Sequence, residues 1–252
     1  MDVSRSHDTP GIPAAPWRKG RASKQPAPQR VPLSADLIVD AALRIARAEG
    51  IDALTMRRIA QEFDTGPSSI YAHVINKDEL LDLMLDRVAA GIDVPKADPD
   101  DWQEQARDVA RAIYRIFSAN ADVARIALAT IPTGPNMLRV TEGLLAVLVA
   151  GGVPIQQAAW SVDRILLYIS ADAYEGSQFM ARQRESGLPM REFGPAFREQ
   201  VRTFYASLPS ETFPCTSANA DILTSGGGDD RFEFGLDLIL TGLAAKLPGP
   251  GA

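Results

Sequence analysis

The stretch TMRRIAQEFDTGPSSIYAHV, which runs from Thr55 to Val74, decides the fold of this chain. It begins on a hydroxyl residue that can cap a helix, and apolar residues then recur at the spacing of one buried helix face. Those apolar residues are Met56, Ile59, Ala60 and Phe63. Asp64-Thr65-Gly66 follows as a turn, and Pro67 suits the first position of a helix because its missing N–H is not needed there. The stretch therefore predicts two short helices joined by a tight turn, the second ending near Val74.

One further helix is predicted on each side of that stretch. The helix before it begins with Ser34 as its N-cap and ends at Gly50 as a left-handed C-cap. Its buried face is formed by Ile38, Ala41, Ala42, Ile45 and Ala46. The helix after it begins with Asn76 and Glu79 in the pattern of a capping box. It is expected to bury Leu81, Met84, Leu85 and Val88.

Downstream of Trp102 the periodicity also predicts helices, at roughly 101–118, 121–131, 136–150, 155–186, 195–208 and 231–247. The stretch from Pro209 to Asp230 is rich in Ser, Thr and Gly and is expected to be a break between helices. No segment alternates convincingly as a strand would. The fold class is therefore expected to be all-α, with a helix-turn-helix followed by a larger helical part.

The composition of the 252-residue chain is that of a globular protein, with 46% hydrophobic and 23% charged residues. No run of about 18 apolar residues predicts a membrane span, and the first 30 residues lack a secretory apolar region. The single cysteine, Cys215, cannot form an internal disulfide or a cysteine-based metal centre. These features predict a cytoplasmic protein without a metal or cofactor.

The net charge of −6 argues weakly against a nucleic-acid partner, but the charge is unevenly distributed. Asp2 and Asp8 are the only acidic residues among the first 30, which contain the cations Arg5, Arg18, Lys19, Arg21, Lys24 and Arg30. Six prolines and a scarcity of apolar residues predict that 1–32 is a disordered basic arm. This arm is either a solubilising tail or an extension that follows DNA.

The helix that begins at Pro67 is small enough to enter the major groove of DNA. Its inward face is expected to consist of Ile70 and Val74, so the residues that point away are Ser68, Ser69, Ala72 and His73. A helix facing only solvent would usually carry Glu and Lys at such places. Lys77 stands in the first turn of the next helix, where the dipole disfavours a cation, so its position favours an external phosphate. We therefore interpret the stretch as a helix-turn-helix that contacts double-stranded DNA.

The segment at about 34–88 resembles the DNA-binding part of the tetracycline repressor (TetR) family. The motifs that carry the resemblance are Leu54-Thr55-Met56-Arg57-Arg58, Ser69-Ile70-Tyr71-Ala72-His73-Val74 and Asn76-Lys77-Asp78-Glu79-Leu80-Leu81. The resemblance implies phosphate contacts by Thr55, Tyr71 and Lys77. It implies positions near base edges for Arg57, Ser68 and Ser69. Ala72 departs from the bulky aromatic residue found there in the tetracycline repressor, so the operator sequence is not carried over.

Arg58 and His73 complete the predicted set of DNA contacts. Arg57 and Arg58 could instead form a solvated helix face. We expect one of the two to contact DNA, and Arg57 is preferred because of the resemblance and the bidentate fit of Arg to guanine. The alternative for Tyr71 and His73 is packing in the core, although their spacing within the whole pattern favours DNA. Taken with the resemblance, these residues predict a helix-turn-helix DNA-binding domain at 33–93 and an effector-binding and dimerisation domain at 94–252.

The part from about residue 95 onward resembles the C-terminal domain of the same family in Gly134-Pro135-Asn136 and Phe232-Glu233-Phe234-Gly235-Leu236. The last predicted helix is apolar nearly all round, and the helix near 155–186 has apolar residues at heptad-like spacing. Those residues are Ala159, Val162, Leu166, Ile169 and Ala173. We expect the helices near 155–186 and 231–247 to pair with their copies in a homodimer, which favours a palindromic operator.

Helices within 101–150 are expected to enclose a pocket for a small-molecule effector. The candidate lining residues, each of which could instead be ordinary core, are Phe117, Met137, Leu138, Trp160, Arg164, Tyr168 and Tyr174. Both histidines, His7 and His73, lie outside this part, whereas the tetracycline repressor holds drug-bound magnesium through a histidine there. An apolar or aromatic effector is therefore a better expectation than tetracycline with magnesium.

The expected function is that of a ligand-responsive transcriptional repressor without enzymatic activity. One alternative is a metal-dependent hydrolase built on Asp100-Asp101 or Asp229-Asp230, but acidic pairs at helix ends ordinarily complement the helix dipole. No phosphate loop, nucleophile elbow or metal-ligand motif supports that alternative. A second alternative is a ligand-binding or partner-binding module whose helix-turn-helix no longer reads DNA.

Overall fold

The structure, a computed structural model, describes residues 32–247. Helices occupy most of this range and no strand occurs within it, so the all-α prediction is confirmed. The helices are α1 (Ala35–Glu49), α2 (Met56–Glu62), α3 (Pro67–Tyr71), α4 (Lys77–Ala89), α5 (Trp102–Ala119), α6 (Ala121–Ala129), α7 (Pro135–Ala150), α8 (Ile155–Ser186), α9 (Met190–Ala206), α10 (Pro214–Ala218), α11 (Ala220–Leu223) and α12 (Gly228–Ala244). A 3-10 turn, Ile51–Ala53, lies between α1 and α2. The predicted arm at 1–32 lies outside the described residues apart from Pro32.

The predicted caps form at the start of three helices. Leu37 donates its N–H to Ser34 Oγ at 3.3 Å, and Arg58 donates its N–H to Thr55 Oγ1 at 3.0 Å. Glu79 donates its N–H to Asn76 Oδ1 at 2.8 Å. The capping box does not close as predicted, because the Glu79 carboxylate accepts the N–H of Ile75 rather than that of Asn76.

The ends of several elements differ from the predictions. Gly50 has a positive φ of 86° but an extended ψ of 157°, so it is not a left-handed C-cap; the chain passes directly into the 3-10 turn. Helix α3 ends at Tyr71, since the N–H groups of His73 and Val74 both turn back to the Ile70 carbonyl. The predicted break at 209–230 contains α10 and α11.

Helix α9 begins five residues before the predicted residue 195. Pro189 is its N-cap residue, and Pro195 lies inside the helix. A proline within a helix removes the N–H of one intrahelical hydrogen bond, and α9 continues through Pro195 despite this loss. The aromatic side chain of Phe193 is buried in the first part of α9, against Phe179 and Phe197.

The first four helices share one apolar core. Its fully buried side chains include Ile38, Leu54, Ile59, Ile70 and Leu80. Phe63, predicted to be buried, is half-buried because it lies at the C-terminal end of α2. Leu81 and Val88 are likewise half-buried, whereas Met84 and Leu85 are buried as predicted.

Helix α4 joins this core to the C-terminal helices through polar contacts. The carboxylate of Asp86 on α4 accepts the backbone N–H groups of Asn136 and Met137 in the first turn of α7. A Cβ atom at Gly134 would overlap the Asp86 side chain, so the close approach depends on glycine there. Arg139 on α7 donates to the Ile92 carbonyl, just past the end of α4, at 2.8 Å. The C-terminal half of α4 is therefore held in place by α7.

Helices α8 and α12 pack on α5 with one face and expose another. Phe232 on α12 lies between Tyr114 of α5, at 3.9 Å between ring centroids, and Tyr168 of α8, at 5.7 Å. Of the five heptad-spaced residues of α8, Val162, Ile169 and Ala173 are buried within their own chain, whereas Leu166 is half-buried and Ala159 is exposed. Different apolar residues are exposed on the two helices: Ile155, Trp160, Leu167, Phe234 and Leu238. No helix within residues 32–247 has the length and hydropathy needed to cross a membrane.

Candidate nucleic-acid interface

The turn between α2 and α3 is held by short-range hydrogen bonds. The N–H of Thr65 donates to the Ala60 carbonyl at 3.0 Å, and the hydroxyls of Thr65 and Ser69 share a hydrogen bond at 2.8 Å. Asp64 has the positive φ of 49°, whereas Gly66 is the N-cap residue of α3 with a φ of −88°. Asp tolerates this conformation better than most residues, so the turn does not need its glycine for that purpose.

Helix α3 exposes the residues that the sequence assigned to DNA. Ile70 and Val74 are fully buried, as predicted, whereas Ser68 and His73 are exposed. The Tyr71 side chain is 53% exposed, so it does not belong to the core. An aromatic residue left in solvent beside two hydrogen-bonding residues is suited to a contact that the free protein does not make.

The two arginines of α2 have different surroundings. Arg58 donates from Nη2 to Glu49 at 2.6 Å and from Nη1 to Glu62 at 2.7 Å. These hydrogen bonds raise the pKa of Arg58 and lower the pKa of Glu49. Arg57 is exposed and forms no ion pair within the described part of the chain. Arg57 is therefore the guanidinium of α2 that is free to reach a base or a phosphate.

Lys77 and Thr55 stand at the starts of their helices. Lys77 is exposed as the first residue of α4, and it has no ion pair among residues 32–247. The pKa of Asp52 is lowered chiefly by its hydrogen bond from Arg125 and less strongly by the charge of Lys77. Thr55 is exposed, while its hydroxyl oxygen caps α2. Both positions combine a hydrogen-bonding side chain with the unpaired N–H groups of a helix start, which is the arrangement that binds phosphates.

Of the eight residues predicted to contact DNA, six are exposed without a competing ion pair: Thr55, Arg57, Ser68, Tyr71, His73 and Lys77. Ser69 is half-buried and hydrogen-bonded to Thr65. Arg58 is engaged by two carboxylates. The six exposed residues provide donors for phosphate oxygens and one guanidinium for a base edge, and we call them the α2–α4 surface.

The end of α1 and the 3-10 turn that follows it are joined to the start of α6 by three polar contacts that the sequence did not indicate. Ile51 donates its N–H to Asp122 Oδ1 at 3.2 Å, and Arg125 forms an ion pair with Asp52 at 2.9 Å. Arg47 donates to Asn120 Oδ1 at 3.0 Å. Burial raises the pKa of the Asp122 carboxyl, and the Ile51 N–H partly offsets this. The partners are more than 70 residues apart, so no local pattern in the sequence indicates them.

Two clefts border the C-terminal helices. One, of about 1260 Å³, is lined mainly by α5 and the start of α12. The other, of about 1030 Å³, lies between the end of α1, α6 and the second half of α8, and we call it the α1–α6–α8 cleft. Of the residues predicted to line an effector pocket, Tyr174 borders this second cleft. No three metal-binding side chains converge within residues 32–247.

The other candidate effector residues are dispersed. Phe117 and Met137 are buried in the core, whereas Leu138 is exposed. Trp160 and Arg164 lie on the outer face of α8. Tyr168 is occupied by its contact with Phe232 and donates its hydroxyl to the Phe232 carbonyl at 2.9 Å.

The comparisons with known proteins match both parts of the chain. A family model described as bacterial regulatory proteins of the tetR family matches residues 38–84. A second model, described as the tetracyclin repressor-like C-terminal domain, matches residues 94–247. The chain belongs to the TetR family. TetR-family regulators are non-enzymatic DNA-binding proteins, so the chain is a DNA-binding transcriptional regulator and the hydrolase alternative is excluded.

Relatives in the TetR family include proteins of known structure. The chain is 33% identical to the HTH-type transcriptional repressor DrrR1 of Streptomyces coeruleorubidus, over 90% of this chain and 82% of that protein. It is 40% identical to the TetR-family protein ActR of Streptomyces coelicolor in complex with actinorhodin, with a TM-score of 0.77, over 88% of this chain and 100% of that one. For ActR in complex with (S)-DNPA the identity is 39% and the TM-score is 0.73, over 86% of this chain and 100% of that one.

Proposed function

We propose that this regulator is a repressor that binds a palindromic operator as a homodimer and is released by a small apolar or aromatic effector. The observation that carries the proposal is the exposed side chain of Tyr71 on α3, beside buried Ile70 and Val74. The repressor DrrR1, which is similar to this chain over most of its length, supports the direction of regulation. The operator lies in the cytoplasm of a bacterial cell, so we place the regulator there.

Within this proposal the α2–α4 surface reads the operator. Thr55, Tyr71 and Lys77 contact phosphates, Arg57, Ser68 and Ser69 lie near base edges, and His73 is a further DNA contact. The Ser69 hydroxyl is held in place by its hydrogen bond with Thr65. Arg58 stabilises α2 through its ion pairs with Glu49 and Glu62. The DNA-binding domain covers 33–93 and the effector-binding and dimerisation domain covers 94–252, a division supported by the separate family-model matches to 38–84 and 94–247.

The homodimer is proposed to form through α8 and α12. Trp160, Arg164 and Leu167 recur at the spacing of one helix face on α8, and Trp160 is 65% exposed. Phe234 and Leu238 recur in the same way on α12, and Phe234 is 68% exposed. Large apolar side chains grouped on two adjacent outer faces favour burial against a second copy. A two-fold dimer then presents two α3 helices to half-sites about 34 Å apart, or a multiple of that distance.

A small-molecule effector is supported by the similarity to ActR, whose structures contain actinorhodin or (S)-DNPA. Of the predicted lining residues, Tyr174 has access to a cleft, and Trp160 and Arg164 fit the proposed dimer face better than a pocket. An effector releases the operator if it binds more tightly to a dimer whose two α3 helices no longer match the half-site spacing.

The proposal is tested with fluorescently labelled DNA from the regulator's own promoter region. We expect a specific complex with two chains per operator, and sedimentation of the free protein is expected to give a dimer. K77Q is expected to weaken binding similarly on all DNA sequences and to lower the salt slope by about 1, because one phosphate contact is lost. K96Q, at an exposed lysine outside the α2–α4 surface, is the matched control. If the protein does not bind this DNA at any salt concentration, the result favours the alternative of a ligand-binding or partner-binding module whose helix-turn-helix no longer reads DNA.

A further inference from the structure

The α1–α6–α8 cleft has the size of a ligand site. Its volume of about 1030 Å³ matches the upper range of pockets that hold drug-sized molecules. The α8 wall supplies the apolar and aromatic side chains of Tyr174, Phe179 and Met180, and Tyr114 adds a further ring from α5. Such a lining suits a flat, largely apolar molecule.

The same cleft is bordered by every residue of the three polar contacts that join the end of α1 to α6. These residues are Arg47, Ile51, Asp52, Asn120, Asp122 and Arg125. Helix α1 belongs to the core that carries α3, since Ile38 and Ile70 are both fully buried. A molecule in the cleft therefore touches the DNA-binding part on one side and the C-terminal helices on the other.

The charges around the cleft favour an anionic group on that molecule. Glu49 and Asp52 are already neutralised by Arg58 and Arg125. Arg47 is bound to an uncharged amide, and Arg184 forms no ion pair among residues 32–247. The opposing acids are Glu185, which is exposed, and Asp122, which already accepts the Ile51 N–H. Arg47 on α1 and Arg184 on α8 thus remain at the cleft without an ion pair in the described part of the chain, although the charge of Arg184 also acts on the Asp122 carboxylate.

We propose that the α1–α6–α8 cleft binds a flat, largely apolar molecule carrying one anionic group, held between Arg47 and Arg184. By drawing Arg47 away from Asn120, this molecule loosens the junction between α1 and α6 and weakens operator binding. The regulatory effect rests on the proposed function, whereas binding at the cleft does not.

The probe for the test is 8-anilinonaphthalene-1-sulfonate (ANS), which has two aromatic parts and one sulfonate. Its binding to the full-length free protein is followed by fluorescence titration. G176F places a ring in the cleft, because an added Cβ at Gly176 meets no heavy atom within 4 Å. R184Q removes one guanidinium from the same wall. R182Q is the matched control, because Arg182 is also on α8 but lies over the Phe197 ring instead of in the cleft.

We expect G176F to weaken ANS binding about 10-fold or more, since the space is filled. R184Q is expected to weaken it by roughly 2- to 5-fold, as for an exposed charge pair, and R182Q is expected to match the wild type. Absence of saturable binding to the wild type, or equal binding by G176F and the wild type, overturns the site. If G176F does not fold, the ANS affinity of R184Q relative to the wild type decides whether ANS binds at the α1–α6–α8 cleft.

The regulatory effect is measured as the ratio of operator affinity with and without ANS, for each variant. We expect ANS to lower the operator affinity of the wild type and to lower that of G176F much less, because G176F binds less ANS at the same concentration. If ANS binds saturably but operator affinity is the same with and without ANS, the proposed regulatory effect is wrong. A protein that binds no operator contradicts the proposed function, while the titration on free protein still decides the site.

Discussion

The carboxylate of Asp86 on α4 accepts the backbone N–H of Asn136 on α7 at 2.7 Å. It also accepts the N–H of Met137 at 3.0 Å and the side-chain amide of Asn136 at 2.8 Å. A carboxylate at the start of a helix is stabilised by the unpaired N–H groups and by the helix dipole. This buried cluster ties the helix that leaves the DNA-binding part to the C-terminal helices.

We therefore predict that D86A lowers the free energy of unfolding by about 2–4 kcal/mol, because the half-buried N–H of Asn136 and the buried N–H of Met137 lose their acceptor. D86N keeps an acceptor oxygen and is expected to have a smaller effect. D100N, at an exposed aspartate, is the control and should change stability by less than about 0.5 kcal/mol. Urea unfolding measures all three variants, and an equal loss in D86A and D100N would contradict the role of this cluster.

Substitutions of the two arginines of α2 are predicted to affect different properties, operator binding for Arg57 and stability for Arg58. R57A should weaken operator binding by about 1–3 kcal/mol and relax specificity at one base pair, without lowering the melting temperature. R58A should lower the melting temperature, because Glu49 and Glu62 lose their shared partner. Fluorescence anisotropy and thermal unfolding separate the two effects. A stable R58A protein whose only defect is in operator specificity would place Arg58 on DNA instead.

Phe232 and Phe234 form a matched pair on α12. Phe232 is buried between Tyr114 and Tyr168, so F232A should lower the free energy of unfolding by about 3–5 kcal/mol. Phe234 is exposed, so F234A should leave the fold intact and shift the dimer toward monomer. Unfolding and sedimentation at several protein concentrations measure the two quantities. An F234A protein that dimerises like the wild type would remove α12 from the proposed dimer face.

The stability of the α1–α6 junction is predicted to depend on pH through Asp122. Burial raises the pKa of this carboxyl in the folded state above its unfolded value, so the folded state takes up the proton first as the pH falls. Burial of the charged Asp122 carboxylate lowers the stability of the folded state. This loss of stability is complete at pH values above the pKa in the folded state and disappears at pH values below the pKa in the unfolded state. Wild-type stability should therefore rise relative to D122N as the pH falls from about 7 to about 4. Urea midpoints over this range test the sign, and a constant difference would show that Asp122 titrates normally.

The sequence by itself determined the helix-turn-helix and most of the surface it presents. Caps and apolar spacing depend on residues three or four positions apart, so Ser34, Thr55 and Asn76 could be recognised as the starts of helices from the sequence alone. The same periodicity separated buried Ile70 from exposed Ser68 and His73. The resemblance of these motifs to the TetR family then indicated the function before any contact was known.

The tertiary structure decided which polar residues are free and which are occupied. Arg57 and Arg58 are neighbours with the same chemistry, and Arg58 is distinguished by its ion pairs with Glu62 on α2 and with Glu49, which approaches from α1. Asp86 and Asp122 find their partners 50 to 71 residues away. On α8, Val162, Ile169 and Ala173 are buried by the chain's own helices, whereas Trp160 and Leu167 are exposed. Periodicity reports that a face is apolar, but which surface covers that face is set by long-range packing that no local pattern records.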